Sequence, residues 1–359
     1  MRRKGLIISY ILITVLLYTY LPQIGLHGQT ATKLLRSEFI IVIDEGHGHV
    51  FGYREFIESL KFVNVSLYES NNIILRVYTL NGEINSSSLT GIDLLIIPPT
   101  NGSERFTRDE ASVISDYIRM GGSLLVLGAP FVVKTGEKTD LSVLNDLLSM
   151  MELDLGIKFY YEGGVGDLIR DDINGQGEII CINKEYASDD LSDLFSNIPD
   201  SPKVRTASLV IHRKEGILTM RTPPTAYRMD GDGNIYYNNS GYTVFASKEV
   251  RYGLVTVLGF GEVFTNTTGM NNKPWIAVQE NMIFFTNLIR WLLRLDRWVT
   301  EEVQSIGPIY IYVLAGSIPF IVAYPYAIKM DKRREERIKK KKEEVKISEI
   351  LKKMREEKK

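Results

Sequence analysis

The chain has 359 residues, 44% of them hydrophobic, with 43 Lys and Arg against 44 Asp and Glu, a formal net charge of −1. That length accommodates one large domain or two small ones with a sizeable core, and a single cysteine, Cys181, excludes an internal disulfide. The near-zero total hides segregation. Residues 1–29 carry Arg2, Arg3 and Lys4 and no acids, residues 329–359 carry 15 basic against 8 acidic residues, and 25 against 36 remain between them, a net −11. An acidic main body excludes nucleic acid as the partner that explains this pattern.

The first element is an uncharged apolar run, residues 6–21, directly after "MRRK". It reads as a secretory signal or a signal anchor, and the "LHG" before Gln29 leaves both options open. Residues 39–43 then read as a buried strand, residues 53–62 as a helix, and residues 72–80 and 91–99 as the next two strands. Thr107 with Glu110 three residues on forms a capping box, which starts a helix that stops at Gly121-Gly122. A fourth strand, residues 123–130, and another helix, residues 140–152, follow. Apolar strands alternating with helices predict a parallel sheet covered on both faces.

From residue 157 strand-like segments with polar turns dominate: "IKFYYE", "EIICI", "TASLVIH", "GILTM" and "YTVFAS". "DGDGN", residues 230–234, has Gly241 where a calcium loop places its bidentate Glu, which favours a hairpin turn. "YGLVTVLGF", residues 252–260, is again a fully apolar strand, and residues 274–295 form a helix. The second uncharged run, residues 306–328, is 23 residues long, enough to span a hydrocarbon core of about 30 Å. Positive charge flanks the outer side of both runs, so the positive-inside rule places both termini in the cytoplasm and residues 30–305 outside. Five N-x-S/T sequons, at Asn64, Asn85, Asn101, Asn238 and Asn266, all fall in that middle.

The stretch "IVIDEGHGHV", residues 41–50, concentrates chemistry: Asp44, Glu45, His47 and His49 stand between glycines at the end of a strand, and the chain has only four histidines. It is similar to the first motif of zinc-dependent N-acetylmuramoyl-L-alanine amidases, but those enzymes draw further Glu and His ligands from downstream, and here the only later histidine is His212. A longer ordered set covers more of the chain: "FIIVIDEGHGH", "SSLTGIDLLIIPP", "RFTRDEASVISDYIRMGGSLLVLGAP", "LSVLNDLLSMMELDLGIKF" and "GLVTVLGFGEVFTN". This set resembles the glutamine-amidotransferase-like domain found in a gliding-motility protein, an intraflagellar-transport subunit and an accessory subunit of oligosaccharyltransferase. The resemblance implies a flavodoxin-like, amidotransferase-like α/β fold over residues 38–160 and 242–295. Catalytic class I members of that superfamily carry a nucleophilic Cys on a strand-to-helix elbow. This chain has "PPTNGSERFT" there, so the resemblance implies that the fold is kept without the amidase chemistry.

The expectation is therefore a mostly parallel α/β sheet flanked by helices, with a β-rich insertion and a transmembrane helix at each end. Its parts are a signal segment at 1–29, a core at 30–160, a β-rich section at 161–250, a returning strand and helix at 251–300, a span at 306–328 and a basic cytoplasmic tail at 329–359. Ligands of open α/β sheets bind at the carboxyl edge, which makes Asp44, Glu45, His47, His49, Thr100, Asn101 and Glu262 the expected ligand contacts. No catalytic residue, cofactor or metal is expected. The expected partners are the membrane, an integral-membrane protein and a carbohydrate or peptide ligand, at the cell membrane. The rival expectation is a zinc-dependent hydrolase of cell-surface amides or glycans.

Overall fold

Side-chain alternation along the apolar strands decides the architecture. In β1 (Glu38–Asp44), β3 (Leu94–Ile97), β4 (Ser123–Leu127) and β14 (Gly253–Leu258), successive residues are buried on opposite faces of one sheet. Ile41, Ile43, Leu94, Ile96, Leu125, Leu127, Leu254 and Leu258 face one helical layer, made of α1 (Tyr53–Asn71) and α4 (Gln279–Leu292). Val42, Leu95, Ile97, Leu124, Val126, Val255 and Val257 face the other, made of α2 (Arg108–Arg119) and α3 (Leu141–Met150). A strand apolar on both faces is stable only between two covering layers, and the result is a three-layer α/β/α sandwich.

The computed structural model describes residues 37–295 except 134–135, 163–165, 174–176, 268 and 270–273. β2 (Ile74–Leu80) starts the order β2-β1-β3-β4-β14, joined by parallel ladders. The sheet continues through β13 (Thr243–Val250), β9 (Leu209–Ile211) and β5 (Ile157–Phe159), with β10 (Ile217–Arg221) also paired to β13, all antiparallel. The expected β-rich stretch is therefore divided. Its strands β9, β10 and β13 extend the main sheet, while β6 (Asp167–Arg170), β11 (Tyr227–Asp230) and β12 (Ile235–Tyr237) form a separate three-stranded sheet. Among the described residues β7 (Ile180–Cys181) pairs only with β8 (Lys203–Val204). The "DGDGN" segment is the β11–β12 hairpin turn, with Asp230 Oδ1 accepting from the backbone N–H groups of Asp232 and Asn234.

Several strands are shorter than the sequence reading by one to three residues at an end, and two helix boundaries differ by more. The helix expected over 53–62 runs on to Asn71, its buried stripe of Phe56, Leu60, Val63 and Leu67 continuing at helical spacing, and ends where Asn72 takes a left-handed conformation with φ 54°. The helix expected from 274 begins at Gln279, after a short 3-10 turn over Trp275–Ala277. Among the described residues no helix is long and apolar enough to cross a membrane. The two apolar runs, 6–21 and 306–328, and the basic tail lie outside the described residues.

Because β1, β3, β4 and β14 run parallel, their carboxyl ends, and the loops that begin at Glu45, Pro98, Gly128 and Gly259, gather on one edge. That edge carries the candidate site.

Candidate functional site at the carboxyl edge of the sheet

The loop after β1 is shaped by its glycines and tied to the loop after β3. Gly46 lies against the backbone of Gly82, where an added Cβ would come within 2.5 Å of the Gly82 carbonyl oxygen. Gly48 has φ +60°, a conformation that glycine adopts without steric cost, and passes close to Ser103 and Asn101. The Gly48 carbonyl accepts from Asn101 N at 2.8 Å, the Pro99 carbonyl accepts from Val50 N at 2.8 Å, and His49 and Thr100 form an antiparallel bridge between these bonds.

This backbone brings two imidazoles onto one carboxylate. Asp44, fully buried at the end of β1, faces His47 Nδ1 and His49 Nε2, both 2.9 Å from its Oδ2, and its Oδ1 accepts from Gly46 N at 3.0 Å. His47 Nε2 lies 3.1 Å from Glu110 Oε1, and Phe106 stacks on the His47 ring with centroids 3.9 Å apart. His49 Nδ1 lies 3.0 Å from the Pro98 carbonyl. Glu110 has a second task. Its Oε1 also accepts from Ile84 N at 2.9 Å, and its Oε2 accepts from Thr107 N and Thr107 Oγ1, both at 2.8 Å, completing the capping box of α2.

The electrostatics follow from these contacts. Burial pushes the Asp44 carboxyl up, but the bonds and charges of His47 and His49 outweigh it and hold Asp44 below the usual range. Burial likewise lowers the His47 imidazole, and Asp44 and Glu110 together outweigh it, leaving His47 raised. Glu110 is pushed up by burial and brought below its ordinary value by the backbone bonds from Thr107 and Ile84.

The other expected contacts lie on the same edge with different partners. Glu45 Oε1 accepts from Tyr53 N at 2.6 Å, at the amino end of α1, where the helix dipole favours a carboxylate. Thr100 is fully buried and donates to the Asp140 carbonyl at 2.9 Å, while Asn101 is exposed and accepts from Ser103 N at 2.9 Å. Glu262, fully buried after β14, faces Arg205 Nη1 at 3.3 Å, and Arg205 also donates to Glu178 Oε2 at 2.9 Å and to the Val132 carbonyl. His47, His49, Asp44 and Glu110 thus form one cluster, and Glu262 belongs to another, centred on Arg205. A groove of about 360 Å³ between α2 and α3, lined by Arg108, Ser115, Arg119 and Glu152, includes none of the seven expected contacts.

The sequence reading missed the site roles of Glu110, Phe106 and Arg205. Glu110 was legible as a capping residue, and its spare oxygen was the available signal. Phe106 and Arg205 gave none, since their contacts are 59 and 57 positions away from them in the chain.

No protein-family model and no curated protein matches the sequence. Among solved structures the chain is similar to an mmIFT52 N-terminal domain, with 16% identity over 70% of this chain and 96% of that one and a TM-score of 0.46. It is also similar to a cytoplasmic protein from Salmonella typhimurium, with 12% identity over 71% and 98% and a TM-score of 0.43. A ThuA-like protein from Bacteroides uniformis is 12% identical over 71% and 91%, with a TM-score of 0.38.

Proposed function

We propose that the chain is a membrane-anchored, non-catalytic subunit of an envelope complex, a transporter or a glycan-handling assembly. Its main domain lies outside the cytoplasm and meets an integral-membrane partner and a carbohydrate or peptide ligand. The observation that supports the non-catalytic reading is how the loop after β1 uses its polar atoms. The partners of both imidazoles are carboxylates and one carbonyl, none a hydroxyl or thiol, whereas nucleophilic catalysis needs a base in hydrogen-bond reach of its nucleophile. The two charge-flanked apolar runs support the anchor and the topology. Asn85, Asn101, Asn238 and Asn266 are exposed and open to glycan attachment, whereas Asn64 is half-buried and accepts from Leu75 N at 2.7 Å.

Protease added to intact cells is expected to digest residues 30–305 and spare the tail, and digestion of the tail from outside overturns the topology. Crosslinking in intact membranes is expected to capture an integral-membrane protein, and recovery of the chain only by itself overturns the accessory role. The second reading, a zinc-dependent hydrolase of cell-surface amides or glycans, is favoured by the one group of metal-compatible side chains among the described residues, Asp44, His47 and His49. Metal-dependent hydrolysis of such a substrate by the purified chain would install that reading in its place.

A further inference from the structure

With both imidazoles neutral, the cluster after β1 holds more acceptors than its N–H groups can balance. A neutral imidazole has one N–H and one lone pair. His47 faces the Asp44 carboxylate with Nδ1 and the Glu110 carboxylate with Nε2, and His49 faces the Asp44 carboxylate with Nε2 and the Pro98 carbonyl with Nδ1. Two neutral rings bring two N–H groups to four acceptor contacts, all in a place where Asp44 and Glu110 are buried. A second proton on His47 removes part of the mismatch, and a metal cation at the meeting point of Asp44 Oδ2, His47 Nδ1 and His49 Nε2 removes all of it. Each ring then turns its lone pair inward and its single N–H outward.

We propose that these three atoms bind one divalent transition-metal ion of the zinc class. Asp44 Oδ2 is 2.9 Å from each imidazole nitrogen, and all three donor atoms lie within 4.8 Å of one another. Around a tetrahedral ion with bonds of about 2.0–2.2 Å, neighbouring donors stand about 3.3–3.6 Å apart, so Asp44 and the two rings need to part by about half an ångström to close on the metal. Two imidazoles and one carboxylate suit a borderline divalent ion better than calcium or magnesium, which take oxygen donors.

The outward atoms are already placed as metal-bound histidines require. Such histidines give their other N–H to a carboxylate or a backbone carbonyl, and Glu110 and Pro98 occupy those two positions at 3.1 Å and 3.0 Å. Gly46 N holds the remaining oxygen of Asp44. The spacing D-x-x-H-x-H reaches this geometry because Gly48 turns the loop at φ +60° between the two histidines. The donors are almost fully covered, with side-chain exposures of 0% for Asp44, 6% for His47 and 3% for His49, so the ion would brace the loop against α2 and the loop after β3. This inference stands independently of the accessory role, because metal uptake is read without any partner or substrate.

The test uses the full-length chain in mild detergent, stripped with chelator and titrated with zinc(II) alone, with bound metal measured by elemental analysis after gel filtration. One equivalent per chain is expected. His49→Ala and Asp44→Asn are expected to weaken uptake at least about 100-fold, Glu110→Gln about 10-fold, and His212→Ala, at an exposed position, not at all. X-ray absorption of the unsubstituted zinc-loaded chain, which needs no variant to fold, is expected to show two imidazoles bound to the metal. Absence of uptake, uptake unchanged in His49→Ala, or fewer than two imidazoles around the ion overturns the proposal.

Discussion

Glu110 joins three segments through one carboxylate, and replacing it separates a helix cap from a tertiary anchor. Thr107→Ala removes the hydroxyl that caps α2 through Glu110 N, and such changes cost about 1 kcal/mol. Glu110→Ala removes the reciprocal half of that cap, again about 1 kcal/mol. It also leaves the buried Ile84 N–H without its acceptor, about 1–3 kcal/mol, and removes the charge-assisted partner of His47, about 1.5–3 kcal/mol. These losses share one group and relax together, so the expected total is about 3–5 kcal/mol rather than their sum. Glu110→Gln keeps one oxygen and is expected to cost about 1–2 kcal/mol. The assay is urea unfolding of the full-length chain followed by circular dichroism, comparing midpoints at constant slope. A cycle with His47→Ala is expected to show coupling of at least about 1 kcal/mol. A cost for Glu110→Ala no larger than that for Thr107→Ala refutes the tertiary anchor and leaves Glu110 a cap and nothing else.

Three further outcomes are expected. Burial raises Asp167 to about 6 despite bonds from Ser208 N and Ser208 Oγ, so its contribution to stability is full below about pH 3.8 and is lost as pH rises through about 6. The loss is about 3 kcal/mol, and the difference between Asp167→Asn and the unsubstituted chain should grow in favour of the variant from pH 4 to pH 7.5; a constant difference in urea unfolding contradicts this. Gly46→Ala presses a Cβ on the Gly82 backbone, which has no side chain to move aside, and is expected to cost about 1–3 kcal/mol and lower the melting temperature by several degrees. Phe285→Ala empties a fully buried position stacked on Phe264 and is expected to cost about 3–5 kcal/mol, whereas Tyr252→Ala, at an exposed position, should stay within about 0.5 kcal/mol.

What the sequence determined by itself was local. Apolar strand runs, the Thr107–Glu110 capping box, the glycine stops and the "DGDGN" turn each depend on residues within a few positions of one another, and each appears where it was expected. The end of α1 was less legible, because exposed Phe62, Val65 and Tyr68 blur the apolar stripe that continues to Leu67. The tertiary structure decided everything that joins distant segments. A strand such as β14 carries no mark of the distant neighbour it will pair with, and only packing places Leu254 beside Ser123 of β4, in the middle of the parallel ladder. The site divides in the same way. The acids and histidines of "DEGHGH" were visible as a strand-end loop, and the convergence of both imidazoles on Asp44 needs the loop path set by Gly46, Gly48 and the bridge to Thr100. Glu110 closes that cluster from 63 positions away, and no periodicity reaches so far. Propensity and capping act through neighbours along the chain, whereas a buried polar cluster is fixed by which loops the sheet order brings to the same edge.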